Sequence, residues 1–154
     1  MPDVFISYAS MDEKLAHYAH EYLTAQGLEV FMAGISLLPG QRWSEEIRTK
    51  LQTSPWVIVL ASKAAGRSPF VQQEFGMALS SGKTIVPVVW DQDPRELPGW
   101  MGRFQVLDLR GRLLQDVGPR LDAIAERIHE QKQQGVLIIA ALVTALLVLG
   151  ARKG

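Results

Sequence analysis

The chain opens on a short apolar run, DVFISY from Asp3 to Tyr8, with the length and branching of a buried strand. Ser10 to Glu13 has capping-box spacing, and Leu15, Tyr18, Ala19, Tyr22 and Leu23 then recur at helical intervals up to Gly27, a helix-ending residue. Leu28 to Met32 reads as a second strand, followed by a loop with Gly34, Pro39 and Gly40. Trp43, Ile47 and Leu51 mark one face of a second helix. Trp56 to Ala61 is apolar throughout, as a central parallel strand is. Ser68-Pro69 supplies an N-cap and a first-turn proline for a third helix, with Val71, Phe75, Ala78 and Leu79 inward and Gly82 at its end. Thr84 to Trp90 and Gln105 to Leu109 are the fourth and fifth strands, separated by a loop rich in proline, glycine and charge. Val117, Leu121, Ile124 and Ile128 form the stripe of a further amphipathic helix.

Strand and helix thus alternate about five times with short connections, which predicts a parallel sheet covered by helices on both faces. Ligands bind beyond the carboxyl ends of the strands in such folds. Those ends fall at residues 7–10, 33–43, 62–74 and 90–93.

The polar stretch at residues 131–134 leads into GVLIIAALVTALLVLGA, residues 135–151, which carries no charge and one hydroxyl. As a helix it spans about 25 Å, slightly less than the roughly 30 Å hydrocarbon core, and Arg152 and Lys153 can extend it by snorkelling. A helix buried in a small domain keeps a polar stripe, and this one has none. The expected organisation is a soluble domain over residues 1–130, a polar linker at 131–134, a transmembrane helix at 135–151 and a short basic tail at 152–154. The start of the chain lacks the basic and apolar regions of a signal peptide, so a C-terminal anchor with a cytoplasmic domain is expected.

Composition sharpens this picture. Of 154 residues, 47% are hydrophobic. Without the tail the share drops to roughly 42%, near the ordinary globular range. Cysteine is absent, which excludes disulfides, Cys-ligated metals and a thiol nucleophile. Sixteen basic residues balance sixteen acidic ones, against a nucleic-acid partner.

Several familiar sites are missing. There is no GxGxxG and no GxSxG. Gly82-Lys83-Thr84 lacks the upstream glycine of a phosphate-binding loop, since Met77 stands there, and it precedes a strand. A phospho-receiver site needs an acid where Ala61-Ser62 lies. His17 and His20 share the polar face of the first helix without a convergent carboxylate, and Asp91, Asp93 and Glu96 fit no cation loop, so no metal site is expected. Glu74 follows Phe70 by four residues on one helix face, near the expected crevice. Its position alone suits either a ligand contact or a helix-dipole partner.

Four segments in order resemble a bacterial-type Toll/interleukin-1 receptor (TIR) domain: Asp3 to Ser10, Leu38 to Trp43, Ser62 to Glu74, and Ile85 to Trp90. The resemblance covers about residues 2–130 and implies a flavodoxin-like five-stranded parallel sheet. Many members of the family cleave NAD⁺ at the nicotinamide–ribose bond, so NAD⁺ is the implied substrate and no cofactor is expected. The catalytic glutamate of the family falls on Glu74. Tyr8, Ala9, Ser10, Trp43, Phe70 and Trp90 fall on positions that line the nucleotide cleft. The loop from Ala33 to Arg42 matches the family's BB loop, with Leu37, Leu38, Pro39 and Gly40 implied in assembly with other TIR domains. The chain departs from the common pattern at Ala33, where many members carry an acid, and at Phe70-Val71, where Trp-Cys is common. The implied function is a membrane-anchored NAD⁺ hydrolase or cyclase, active on oligomerisation, in signalling, innate immunity or antiphage defence. The alternative is a non-catalytic adaptor acting through homotypic TIR contacts.

Overall fold

The computed structural model describes residues 1–35, 44–66, 69, 76–77, 82–97 and 101–152. Its strands are β1 (Val4–Ala9), β2 (Val30–Ile35), β3 (Trp56–Leu60), β4 (Thr84–Val89) and β5 (Leu107–Asp108). They form one sheet in the order β2-β1-β3-β4-β5, and every pair is parallel. Four helices are described: α1 (Glu13–Ala25), α2 (Glu45–Thr53), α3 (Lys63–Gly66) and α4 (Val117–Ala151).

Alternation along each strand divides the core in two. Val4, Ile6, Trp56, Ile58 and Leu60 face α1 and α4, meeting Ala16, Leu23, Leu121 and Ile128. Phe5, Val57, Val59 and Val89 face the other way, meeting Leu51 of α2 and Ala65 of α3. Phe5, Ile6 and Ile58 are fully buried, each stabilising the fold by about 1.5–3 kcal/mol relative to an exposed side chain.

The chain departs from the sequence expectations at several points. The capping box at Ser10 does not form: Ser10–Asp12 make a 3₁₀ turn, and α1 begins at Glu13 with no side-chain cap. Asp12 turns inward to Ser62 instead. At the other end of α1, Gly27 has φ +83°, as a helix-terminating glycine should. Helix α2 is capped by Ser44, whose Oγ accepts from the Ile47 N–H at 3.2 Å. The unforeseen turn α3 is opened by Ser62. The helix expected from Ser68 to Gly82 lies largely outside the described residues, as do Val71, Phe75, Ala78 and Leu79; Pro69, Gly76 and Met77 are helical.

The fifth strand is shorter than expected, two residues against five, and Pro87 gives the reason. Val88 O accepts from Ala61 N on the β3 side, and Val89 O accepts from Leu109 N on the β5 side. Pro87 shares its orientation with Val89, so its missing N–H falls on the β5 side. Strand β5 accordingly pairs only with Val88 and Val89. The first half of β4 is left unpaired on that side.

Residues 131–134, expected as a linker, continue α4 without a break. Gln131 Oε1 accepts from Trp56 Nε1 at 2.8 Å, and Lys132 Nζ lies 3.1 Å from Asp3. His129 Nε2 lies 2.9 Å from Gln26 O. These three partners sit at the amino ends of β3 and β1 and at the end of α1. Helix α4 therefore leaves the domain at the amino edge of the sheet, docked as it goes. Beyond it the apolar segment is exposed, with Leu137, Leu142 and Leu147 each at least 60% accessible.

Candidate active site at the carboxyl edge

Three connections meet at the carboxyl ends of β1, β3 and β4. Asp12, in the turn after β1, is only 8% exposed, and its Oδ2 accepts a 2.5 Å hydrogen bond from Ser62 Oγ. Ser62, after β3, is also buried, and the same oxygen accepts from Ala65 N at 3.1 Å. Asp91, after β4, receives the Lys63 N–H on both carboxylate oxygens, at 3.1 and 3.2 Å. Gln92 Nε2 donates to Ala61 O at 2.8 Å. These bonds fix where the chain leaves β3 and begins α3, the approach to the segment that carries Glu74.

Burial pushes the Asp12 carboxyl above its ordinary range; the Ser62 hydroxyl opposes this, and the charge of Asp91 adds to it. Tyr8 is likewise pushed up, by burial first and by Glu13 second. A second polar cluster behaves oppositely. Arg95 donates to Asp93 through its backbone N–H, Nε and Nη2, and Arg110 reaches both Asp93 and Asp108. Hydrogen bonds from Arg95 hold Asp93 low, and those from Arg110 hold Asp108 low. This cluster ties the loop after β4 to the end of β5.

Of the residues implied in the nucleotide cleft, Tyr8, Ala9, Ser10 and Trp90 come together at this edge. Tyr8 and Ala9 are each 7% exposed and belong to opposite apolar layers, so their side chains are committed to packing. Ser10 is exposed, and half-buried Trp90 packs against the layer that holds Tyr8. Trp43, Phe70 and Glu74 lie outside the described residues, as do Leu37, Leu38, Pro39 and Gly40. Ala33 is buried and pairs in register with Ser7. His17 lies 3.5 Å from Glu13, one helical turn away. Asp12 and Gln92 were not singled out from sequence as site residues, Ser62 entered only as a strand-end position and the start of a family segment, and Asp91 only as a cation-ligand candidate. The available signal was a polar residue directly after the third and fourth apolar strands, at Ser62 and Asp91.

The family model for the TIR domain matches residues 4–140. A protein of Brachypodium distachyon described as a "Probable 2' cyclic ADP-D-ribose synthase BdTIR" is 28% identical over 97 residues, which is 62% of this chain and 43% of that protein. An uncharacterized protein of Sinorhizobium fredii is 30% identical over 84 residues, 53% of this chain and 13% of that protein. The chain therefore spans less than half the length of these curated relatives. Among solved structures, the TIR domain of the Toll-related receptor TRR-2 from Hydra magnipapillata superposes with a TM-score of 0.67 at 22% identity, covering 84% of this chain and 99% of that one. That likeness concerns the fold.

Proposed function

We propose, because the chain belongs to the TIR domain family, that it cleaves NAD⁺ at the nicotinamide–ribose bond while held at a membrane by residues 135–151. The observation that carries this reading is the likeness to the plant protein described as a cyclic ADP-D-ribose synthase. Glu74, matched to the family's catalytic glutamate, is the proposed catalytic residue.

The reaction suits one carboxylate. Nicotinamide departs as a neutral molecule, so its departure needs no general acid. The ribose left behind becomes oxocarbenium-like, and a carboxylate beside it stabilises the developing positive charge and holds the ribose hydroxyls. Phe70 or Trp90 supplies a ring for stacking on nicotinamide or adenine. Capture by water gives ADP-ribose, whereas capture by a hydroxyl of the same molecule gives a cyclic product. Anchoring confines the domains to a surface, which raises their effective concentration and favours TIR–TIR association. A signalling or defence role would follow from release of a nucleotide product on assembly.

The test is nicotinamide release from NAD⁺ by the full chain at high density on liposomes, with products separated by chromatography. Glu74→Ala is expected to reduce the rate at least about a hundredfold, as for loss of a group that stabilises transition-state charge. Equal measurable rates in the two proteins would overturn the assignment of Glu74, and no release by either would favour the adaptor role.

A further inference from the structure

At the opposite edge of the sheet, the unpaired first half of β4 opens into a cavity of about 640 Å³, within the range typical of ligand pockets. Its origin is the proline already described: Pro87 denies β5 a partner, and the chain from Phe104 to Leu107 stands away from Thr84 to Val86. The apolar lining includes Phe104 and Ile124. Four cations surround it, Lys83, Arg103, Arg120 and Arg127, and no carboxylate lines it among the described residues. Lys83 is partly engaged, donating to Gln52 O and Ser54 O at 2.7 and 2.6 Å. Arg103, Arg120 and Arg127 are exposed and form no ion pair among the described residues.

This contrasts with the carboxyl edge, where Arg95 and Arg110 are both matched to aspartates. What sets the three guanidinium groups apart is that they gather with Lys83 around one cavity, a concentration of positive charge that suits an anion. Arg120, Ala123, Ile124 and Arg127 share one stripe of α4, at i, i+3, i+4 and i+7. The small Ala123 leaves room between the two arginines.

The cavity also has a position relative to the apolar helix. Trp56 and Thr84, the first residues of β3 and β4, line it, so it opens at the amino edge. Helix α4 leaves the domain at that edge, fixed there by Trp56 and Asp3. Arg127 stands eight residues before Gly135, about 12 Å along the helix axis. With its own side chain extended, it reaches the zone of phospholipid headgroups.

We propose that this cavity binds the phosphorylated headgroup of an anionic membrane lipid. The headgroup phosphates are held by Arg103, Arg120 and Arg127, and the bound lipid fixes the tilt of the domain on the bilayer. The proposal rests on the reading of residues 135–151 as a membrane span. It is independent of NAD⁺ cleavage.

The experiment uses the full chain in detergent micelles containing phosphatidylcholine and phosphatidylinositol 4-phosphate, with bound lipid counted by native mass spectrometry. The wild-type chain is expected to retain the inositol lipid over phosphatidylcholine by about tenfold or more. The exposed pair Arg120→Gln, Arg127→Gln should lose that preference while its thermal unfolding is unchanged, and Arg152→Gln, at the far end of the apolar helix, should keep it. Pyrophosphate added to the wild type should displace the inositol lipid, as a shared phosphate site requires. Pyrophosphate binding without lipid retention would assign the cavity to a soluble anion and overturn the lipid assignment. Absence of any anion preference would overturn it too, as would loss of self-association in lipid-free detergent on the double substitution, which would make the cavity a contact between copies. Liposome flotation separates the two readings. A chain that floats with pure phosphatidylcholine but shows no anionic preference refutes the cavity alone. A chain that fails to float refutes the span.

Discussion

Asp12 sets a pH signature on the domain. Burial raises its folded pKa above the ordinary 3.8, so the folded state holds the proton more tightly than the unfolded one. Stability contributed by the protonated acid is present below about pH 4 and is lost as pH rises through the folded value. Asparagine keeps an acceptor for the Ser62 hydroxyl and cannot ionise. Asp12→Asn should therefore gain stability relative to wild type as pH rises above about 4, and level off once pH has passed the folded value of Asp12. Asp93 and Asp108 act with the opposite sign, since their depressed pKa values give stability that is lost as pH falls below about 4. They are common to both proteins and cancel in the difference. Thermal melts of the pair across this range check the prediction, and a pH-independent difference would refute it. Ser62→Ala removes the one hydroxyl that serves both Asp12 and the Ala65 N–H, and should cost about 1–3 kcal/mol in denaturant unfolding.

At the scale of elements, five strands and their order along the chain were legible because each is an apolar run bounded by polar punctuation. What the sequence hid were choices made by tertiary contact. Ser10 to Glu13 has the spacing of a capping box, yet Asp12 found a buried partner fifty residues away. The fifth strand looked five residues long because its side chains are strand-like, whereas its pairing depended on a proline in its neighbour. Residues 131–134 looked like a linker because they are polar, but Gln131 and Lys132 use that polarity to grip Trp56 and Asp3. Glu74, the proposed catalytic residue, lies outside the described residues and rests on the family resemblance alone, since one carboxylate after a predicted helix start has a bland explanation as well. Gly118 shows how closely α4 meets α1: a Cβ there would bring three ring carbons of Tyr22 within 2.9 Å, while the Tyr22 hydroxyl donates to Asp122 at 2.6 Å. Overpacking at this crossing should make Gly118→Ala less stable by about 1–3 kcal/mol, read by denaturant unfolding with Gly135→Ala as the unhindered control.

The whole molecule is polar in the geometric sense. Its cluster of Asp12, Ser62 and Asp91 lies at one edge of the sheet, and its long apolar helix departs from the other. Strand β1 has six residues, so the edges stand apart by about 20 Å. If residues 135–151 cross a bilayer, the docked start of that helix holds the amino edge at the headgroups and turns the candidate NAD⁺ cleft toward bulk water, where substrate is free to enter. The geometry can be measured directly, because the chain has no cysteine and any introduced one is unique. Nitroxide labels on Met11→Cys, whose parent residue is 84% exposed in the turn after β1, and on Gln133→Cys should report different depths in liposomes. The label at 133 should be relaxed by headgroup-level paramagnetic lipid, and the label at 11 by a soluble nickel reagent. Adding a charge mid-span, Leu142→Arg, costs about 2.5–3.5 kcal/mol on insertion and should release a measurable fraction of the chain from membranes. Equal depths for the two labels, or wild-type protein that leaves the membrane in alkaline carbonate, would mean that the apolar helix serves a protein partner and that the cleft has no fixed orientation.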